Sequence, residues 1–260
     1  MAVGLSSPVT VADASIESAP EINLALSVSG PQLNIPAPRA RMSADLALQT
    51  YESRMRRQSV ELGEYNDVTT IDAELPQAAK KGRFRLKRMF SAPKSLAFKA
   101  VDFVGDGFVK TNVIARLLQS EVDHVQKGED GSTAITAANY KFSYKGLDDV
   151  AGMPVHVFQV KPRRKVPGLF KGKVYLDVYS GAMVRAEGKM VKSPSFFVKN
   201  IEFTQDYAQV GEFNLVSHIH STADTRLIGK AIVDISHSDY EARTVAEVQM
   251  PGGALVENGR

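Results

Sequence analysis

The stretch from Met153 to Phe203 constrains the fold more than any other part of the chain. It reads MPVHVFQVKP, then FKGKVYLDVYSGAMVRAEGKM, then SPSFFVKNIEF. Neighbouring side chains on a strand point to opposite faces, so a period of two marks strands. Val174, Leu176 and Val178 fall in one phase, and Tyr175, Asp177 and Tyr179 in the other. Ser180-Gly181 is a turn signal. Met183, Arg185, Glu187 and Lys189 then alternate with Val184, Ala186 and Met190. After a break at Ser193-Pro194-Ser195, Phe197, Lys199, Ile201 and Phe203 share a face. The pattern predicts four consecutive strands joined by short turns. It also predicts an antiparallel sheet with one dry and one wet face, since buried parallel strands are apolar throughout.

Around this meander the periodicity switches twice. Ser43 to Leu62 predicts a helix, with Leu48, Tyr51, Met55 and Leu62 as its apolar stripe, Ser43 as N-cap and Gly63 as stop. Three strands follow, over Tyr65–Leu75, Gly82–Ser91 and Ser95–Val104. In the second of these, Phe84, Leu86 and Phe90 oppose Arg83, Arg85 and Lys87. Asn112 to Val125 predicts a second helix, capped by Asn112, with a wide stripe of Val113, Ile114, Leu117, Leu118, Val122 and Val125. Asn139–Lys145, with Tyr140, Phe142 and Tyr144 in phase, is a strand ahead of the meander. Phe213–Thr222 and Arg226–His237 are strands after it. The expected order is helix, three strands, helix, then about seven strands.

The flanks differ in composition. Residues 1–40 carry five prolines among many Ser and Ala and read as a flexible N-terminal segment, with Ile22–Val28 a candidate short strand. Residues 41–240 read as a single domain, and residues 241–260, with Pro251-Gly252-Gly253, as a loose tail. The first basic residue is Arg39, so the positive region of a secretory leader is missing. The expectation is a cytoplasmic protein, or a leader removed or lying upstream. No apolar run reaches the length of a membrane-spanning helix.

Chemistry is thinly signalled. The net charge is +3, too mild to force attraction to nucleic acid or membrane. The absence of Cys excludes disulfides, thiolate metal sites and cysteine nucleophiles. His218-x-His220 places two imidazoles on one strand face, with His237 or Asp239 as a third ligand of a metal site; two histidines alone are a weak signal, and no metal or cofactor is assigned. Aromatic residues interleave with Lys, but the ribonucleoprotein signature is absent and no nucleic acid is expected. Eight Lys or Arg fall between Lys80 and Lys99. Arg83, Arg85 and Lys87 are therefore candidates for contact with anionic headgroups or an acidic partner, or they guard an exposed strand. The basic loop KPRRKVPGLFKGK adds Arg163 and Arg164 beside Leu169 and Phe170, which would dip into a membrane interface, or form a long β-turn.

Three phrases carry a resemblance: YESRMRRQSVEL opening before paired strands, the turn and helix GDGFVKTNVIARLL, and the meander HVFQVKPRRKVPGLFKGKVYLDVYSGAMVRAEG. Together they resemble the outer-membrane lipoprotein-sorting superfamily, the periplasmic LolA-like carriers and their receptor and sensor relatives, over roughly Ser43 to Tyr240. The resemblance implies an α+β fold: a strongly curved antiparallel sheet forming an unclosed half-barrel, with two helices on its concave side. It implies non-catalytic binding of lipid or lipoprotein acyl chains, transient membrane contact, and a periplasmic or secreted location. The alternative is an envelope sensor that binds a peptide or partner protein. Candidate cavity residues are Tyr51, Met55, Phe84, Phe90, Phe98, Ile114, Leu117, Leu118, Phe142 and Phe158, with the second helix as lid. The same side chains would equally fill a closed core.

Overall fold

The computed structural model describes residues 40–128, 130–193, 198–226 and 229–249. The segment Ile22–Val28, Phe197 and Pro251-Gly252-Gly253 lie outside them. Helix α1 (Ala44–Glu61) leads to β1 (Leu62–Leu75), β2 (Lys80–Ser91) and β3 (Ser95–Gly105). A helical stretch follows: α2 (Gly107–Val109), one π turn (Lys110–Ile114), α3 (Ala115–Lys127) and the short α4 (Asp130–Thr133). Seven strands come next: β4 (Tyr140–Val150), β5 (Met153–Pro162), β6 (Phe170–Asp177), β7 (Met183–Met190), β8 (Val198–Val210), β9 (Phe213–Thr225) and β10 (Gly229–Thr244). Helix α5 (Val245–Gln249) ends the described residues, so regular structure continues past Glu241.

All ten strands form one antiparallel sheet in the order β3-β2-β1-β10-β9-β8-β7-β6-β5-β4. The sheet is an unclosed half-barrel with β3 and β4 at its edges. β1 pairs with β10, Leu62 facing Thr244, so the strand after the first helix lies against the last strand.

Residues directly opposite across antiparallel strands share a face. Following the pairs from edge to edge gives one row: Phe103, Phe84, Ile71, Ile235, Ile219, Gln205, Ala186, Val174, Phe158, Tyr144. The adjacent row runs Val104, Arg83, Asp72, Asp234, His220, Thr204, Glu187, Lys173, Gln159, Ser143. The first is apolar but for Gln205; the second is polar but for Val104. Alternation in sequence has become an inner dry face and an outer wet face across the whole sheet. One outer cluster departs from this: Val150, Val155, Val157, Tyr175 and Val184 are buried together.

Glycines bend the sheet at two places. Gly172 faces Gly188 across β6 and β7, and Gly82 faces Gly105 across β2 and β3. A Cβ on Gly172 would lie 1.9 Å from the Glu187 carbonyl oxygen, and one on Gly105 would lie 2.5 Å from that of Lys81. Such close backbone approach is open only to glycine. On the inner side Phe170 covers Gly188 and Phe103 covers Gly82. β-Bulges add local twist. The irregularity between Tyr175 and Leu176 pairs Leu176 with Met183 and Tyr175 with Arg185. It turns Met183 into the inner core, whereas strict alternation groups Met183 with Arg185.

Both larger helices lie against the inner face. Ser43 caps α1, its hydroxyl accepting from the Leu46 N–H. α1 crosses the strand ends: the Met42 N–H donates to Val178 O, Arg54 to Gln209, and Gln58 to Asn214 O. The second helical stretch starts at Gly107, earlier than expected. Asp106 is its cap, accepting from Phe108 N–H, and not Asn112, whose side chain donates to Phe108 O. Gly128, at φ 66°, ends it.

Candidate functional site

The inner face divides into two regions that differ in how well they are packed. Beneath α1, Tyr140, Val160, Leu169, Val174 and Leu176 are 0% exposed, joined by Tyr51, Phe158, Phe170, Met183 and Ala186. This is a closed core. Tyr51 loses its contact with water, and burial raises its phenol pKa well above the usual value. The second region lies between β1–β3, β10 and the helical stretch from α2 to α3. Ile71, Leu75, Leu86, Val109 and Ile114 are buried there. Phe84, Phe98, Phe103, Ile219 and Val233 on the sheet, and Val113, Leu117 and Leu118 opposite, are only half-buried. No residue of α3 itself is buried, although its apolar stripe faces the sheet.

A polar cluster interrupts the second region. On β1 the inward phase runs Leu75, Ala73, Ile71 and then Thr69 and Asp67; on β2 it runs Phe84, Leu86, Arg88 and Phe90. Arg88 and Asp67 meet at 2.7 Å, with side chains 8% and 0% exposed. Arg88 also donates to Glu121 of α3 at 2.9 Å and to the Tyr240 hydroxyl at 2.8 Å, and stacks over Tyr65. The Tyr240 hydroxyl in turn donates to Val216 O. Thr69 donates to Asp67, and His237 Nδ1 lies 3.2 Å from the same carboxylate. Among the described residues no buried side-chain nitrogen or oxygen lacks a hydrogen-bond partner, which makes a buried charge tolerable. Burial by itself raises the Asp67 pKa, but His237, the Arg88 charge and Thr69 together hold it below the ordinary carboxylate value. Burial likewise opposes the Arg88 charge, yet Tyr65, Tyr240, Glu121 and Asp67 keep its pKa raised. The cluster fixes α3 to the sheet through Arg88 and Glu121.

The ten expected cavity residues all lie on the inner side but do not line one space. Tyr51, Met55, Phe142 and Phe158 belong to the core under α1. Phe84, Phe98, Ile114, Leu117 and Leu118 belong to the second region. Phe90 stacks on Tyr65, ring centroids 5.0 Å apart, at the border of the Arg88 cluster. Leu169 and Phe170 are corrected outright as membrane-dipping residues. They are 0% and 3% exposed, because the loop ahead of β6 folds them against Tyr140 and Phe203. Arg163 and Arg164 bind the carbonyls of Ala137 and Ser132 and remain solvent-exposed. Arg83 pairs with Asp72, while Arg85 and Lys87 are exposed on the outer face.

His218 and His220 also stand on the outer face, next to Asp206 and Asp234. His237 points to the inner cluster instead and does not join them. Among the described residues no group of three or more His, Asp or Glu is disposed to hold a metal ion. The residues missed from sequence are Asp67, Thr69, Arg88, Glu121 and Tyr240, while His237 was expected only as a metal ligand. A signal existed for two of them: Asp67 and Arg88 each sit in the apolar phase of a strand, where a charge needs a partner.

Fold and site together define an unclosed half-barrel with an apolar inner face and a helical cover. Several solved structures are similar to the chain. An outer membrane lipoprotein-sorting protein domain from Vibrio parahaemolyticus matches at 13% identity over 77% of this chain and 93% of the other, with a TM-score of 0.39. A LolA superfamily protein from Nitrosomonas europaea matches at 8% identity over 81% and 98%, with a TM-score of 0.38. The MucA/MucB complex of Pseudomonas aeruginosa matches at 10% identity over 74% and 93%, with a TM-score of 0.26. No protein-family profile matches the chain, and no curated protein matches it at a significant level. No described helix is long and apolar enough to cross a membrane.

Proposed function

We propose that the chain is a non-catalytic binding module of the bacterial envelope, periplasmic or secreted, which takes the acyl chain of a lipid or lipoprotein between α3 and the inner face. One observation carries the reading. Two apolar surfaces face each other, Val113, Leu117 and Leu118 against Phe84, Phe98 and Phe103, and neither is fully buried by the other. A hydrocarbon chain entering between them gains ~0.8 kcal/mol per buried CH₂. Arg88 and Glu121 hold the helix over these residues. Organic extraction of the purified protein followed by mass spectrometry is expected to yield acyl lipid. Phe98→Asp is expected to abolish that recovery while Phe158→Leu, in the closed core, retains it. Lipid absent from the wild type, or equally retained in Phe98→Asp, overturns the proposal.

A second reading, binding of a peptide or partner protein, is favoured by the free edges. β3 ends the sheet with Val101 and Val104 at 52% and 69% exposure, and an extended segment adds readily to such an edge. Capture of an unlipidated peptide, lost on Val101→Pro, supports this reading over the first.

A further inference from the structure

The outer face carries a row of lysines that neither the apolar site nor the edge strands explain. Lys141 faces Lys161 across β4 and β5, and Lys171 faces Lys189 across β6 and β7. The register of Val160 against Gly172 sets Lys161 beside Lys171. Four exposed lysines thus cross four adjacent strands at one end of the sheet. Strands are spaced by about 4.8 Å, so the row spans roughly 15 Å.

Like charges directly opposite each other weaken a sheet. Counter-charges relieve this at one position only. Lys189 reaches Glu202 at 3.3 Å, while Glu187 on the same face is engaged by Lys173 and Tyr175. Lys141, Lys161 and Lys171 make no ion pair with any described residue. Arg163 and Arg164, in the connection from β5 to β6, bind neutral carbonyl and amide oxygens and add two more uncompensated charges at the same end. A lysine on an edge strand is accounted for by protection against edge pairing. That covers Lys141 on β4, and also Lys99 on β3, which faces Lys87. It does not cover Lys171 and Lys189, which are on interior strands.

We propose that this face docks on an anionic phospholipid surface. The chemistry favours a spread of charge over a shaped ligand. The row is entirely lysine, a compact point charge without the bidentate fork that selects one carboxylate or phosphate geometry. Its outer-face neighbours Ser143, Gln159, Lys173, Glu187 and Thr204 include no aromatic ring on which a base would stack. Clusters of four to eight basic residues read as sites for anionic lipid, and each contributes about a fivefold gain in membrane partitioning. The inference is independent of the apolar site, because no residue of the row touches the inner face.

The test is flotation of the full chain with phosphatidylcholine vesicles and with vesicles containing 30% phosphatidylglycerol, at low and high salt. Binding is expected only with the anionic vesicles, falling as salt rises. Lys171→Ala with Lys189→Ala is expected to weaken it by about 25-fold, with a melting temperature unchanged or raised because a repulsive pair is gone. Lys99→Ala with Lys230→Ala removes the same charge from exposed positions on β3 and β10 and is expected to leave binding intact. Equal binding to neutral vesicles overturns the proposal, as does an equal loss in both double variants. Loss of binding to poly-glutamate or to an oligonucleotide in the Lys171/Lys189 variant, with vesicle binding unchanged, assigns the row to a different partner and also overturns it.

Discussion

Arg88 of β2 and Glu121 of α3 meet at 2.9 Å in the polar cluster of a largely apolar face. The two ends of this bond are unequal. Arg88 is 8% exposed and bound to the fully buried Asp67, while Glu121 is 38% exposed. Arg88→Met is expected to leave Asp67 buried without its counter-ion and to cost about 3–5 kcal/mol. Glu121→Gln is expected to cost less than about 1 kcal/mol. Urea denaturation measures both, and hydrogen exchange of the α3 amides should quicken in Glu121→Gln while that of β1 does not. Equal costs would show that Glu121 is as integral to the core as Asp67.

The same cluster gives acid sensitivity with a defined sign. The pKa of Asp67 is lowered in the folded protein: burial acts to raise it, but His237, Arg88 and Thr69 prevail. A depressed folded pKa means that the unfolded chain takes up the proton first. The stabilisation is therefore complete above the unfolded value of about 3.9 and is lost as pH falls from there through the folded value. Denaturation midpoints measured from pH 6 to pH 2 should fall less steeply in Asp67→Asn than in the wild type. Parallel curves would remove Asp67 from the account.

The glycine pair at Gly172 and Gly188 sets the curvature of the sheet. Gly172→Ala places a methyl on the Glu187 carbonyl, and Gly188→Ala meets backbone at 2.5 Å together with the Phe170 ring. Each is expected to cost about 2–4 kcal/mol, in the range of overpacking. Gly131→Ala, with nothing within 4 Å of the added carbon, should be neutral to within about 0.5 kcal/mol. Thermal melts of the three variants decide this, and a harmless Gly172→Ala would mean that the bend is set elsewhere.

Truncations in the two inner regions should differ in the way their burial differs. Leu176→Ala, in the closed core at 0% exposure, is expected to cost about 3–4 kcal/mol. Leu117→Ala, half-buried on α3, should cost less than about 1.5 kcal/mol. Equal costs in chemical denaturation would mean that α3 is packed as tightly as α1.

Much of this fold was legible because its sheet has one dry face. Alternation in Val174, Leu176 and Tyr175, repeated strand after strand, gave the element order of one helix, three strands, a helical stretch and seven strands. What escaped were departures from period. The bulge beside Leu176 turned Met183 inward, and Asp106 in place of Asn112 began the second helical stretch, because a π turn extended it backward. At the site the aromatic and aliphatic residues identified the inner face but not its division, since half-burial depends on how closely α3 approaches. The loop that folds Leu169 and Phe170 inward looks, as a string, like an exposed basic turn. The cluster around Arg88 assembles β1, β2, α3 and β10 from distant parts of the chain, and no local pattern brings His237 or Tyr240 to it.

The pairing of β1 with β10 has a consequence for how the chain is made. The first three strands join the rest of the described sheet only through β10, so the seam between Leu62 and Thr244 closes only after residue 244 has been made. Such long-range closure predicts slow folding. Until then one edge of β1 waits for its partner while the other is already paired with β2, an arrangement that invites mispairing with other chains.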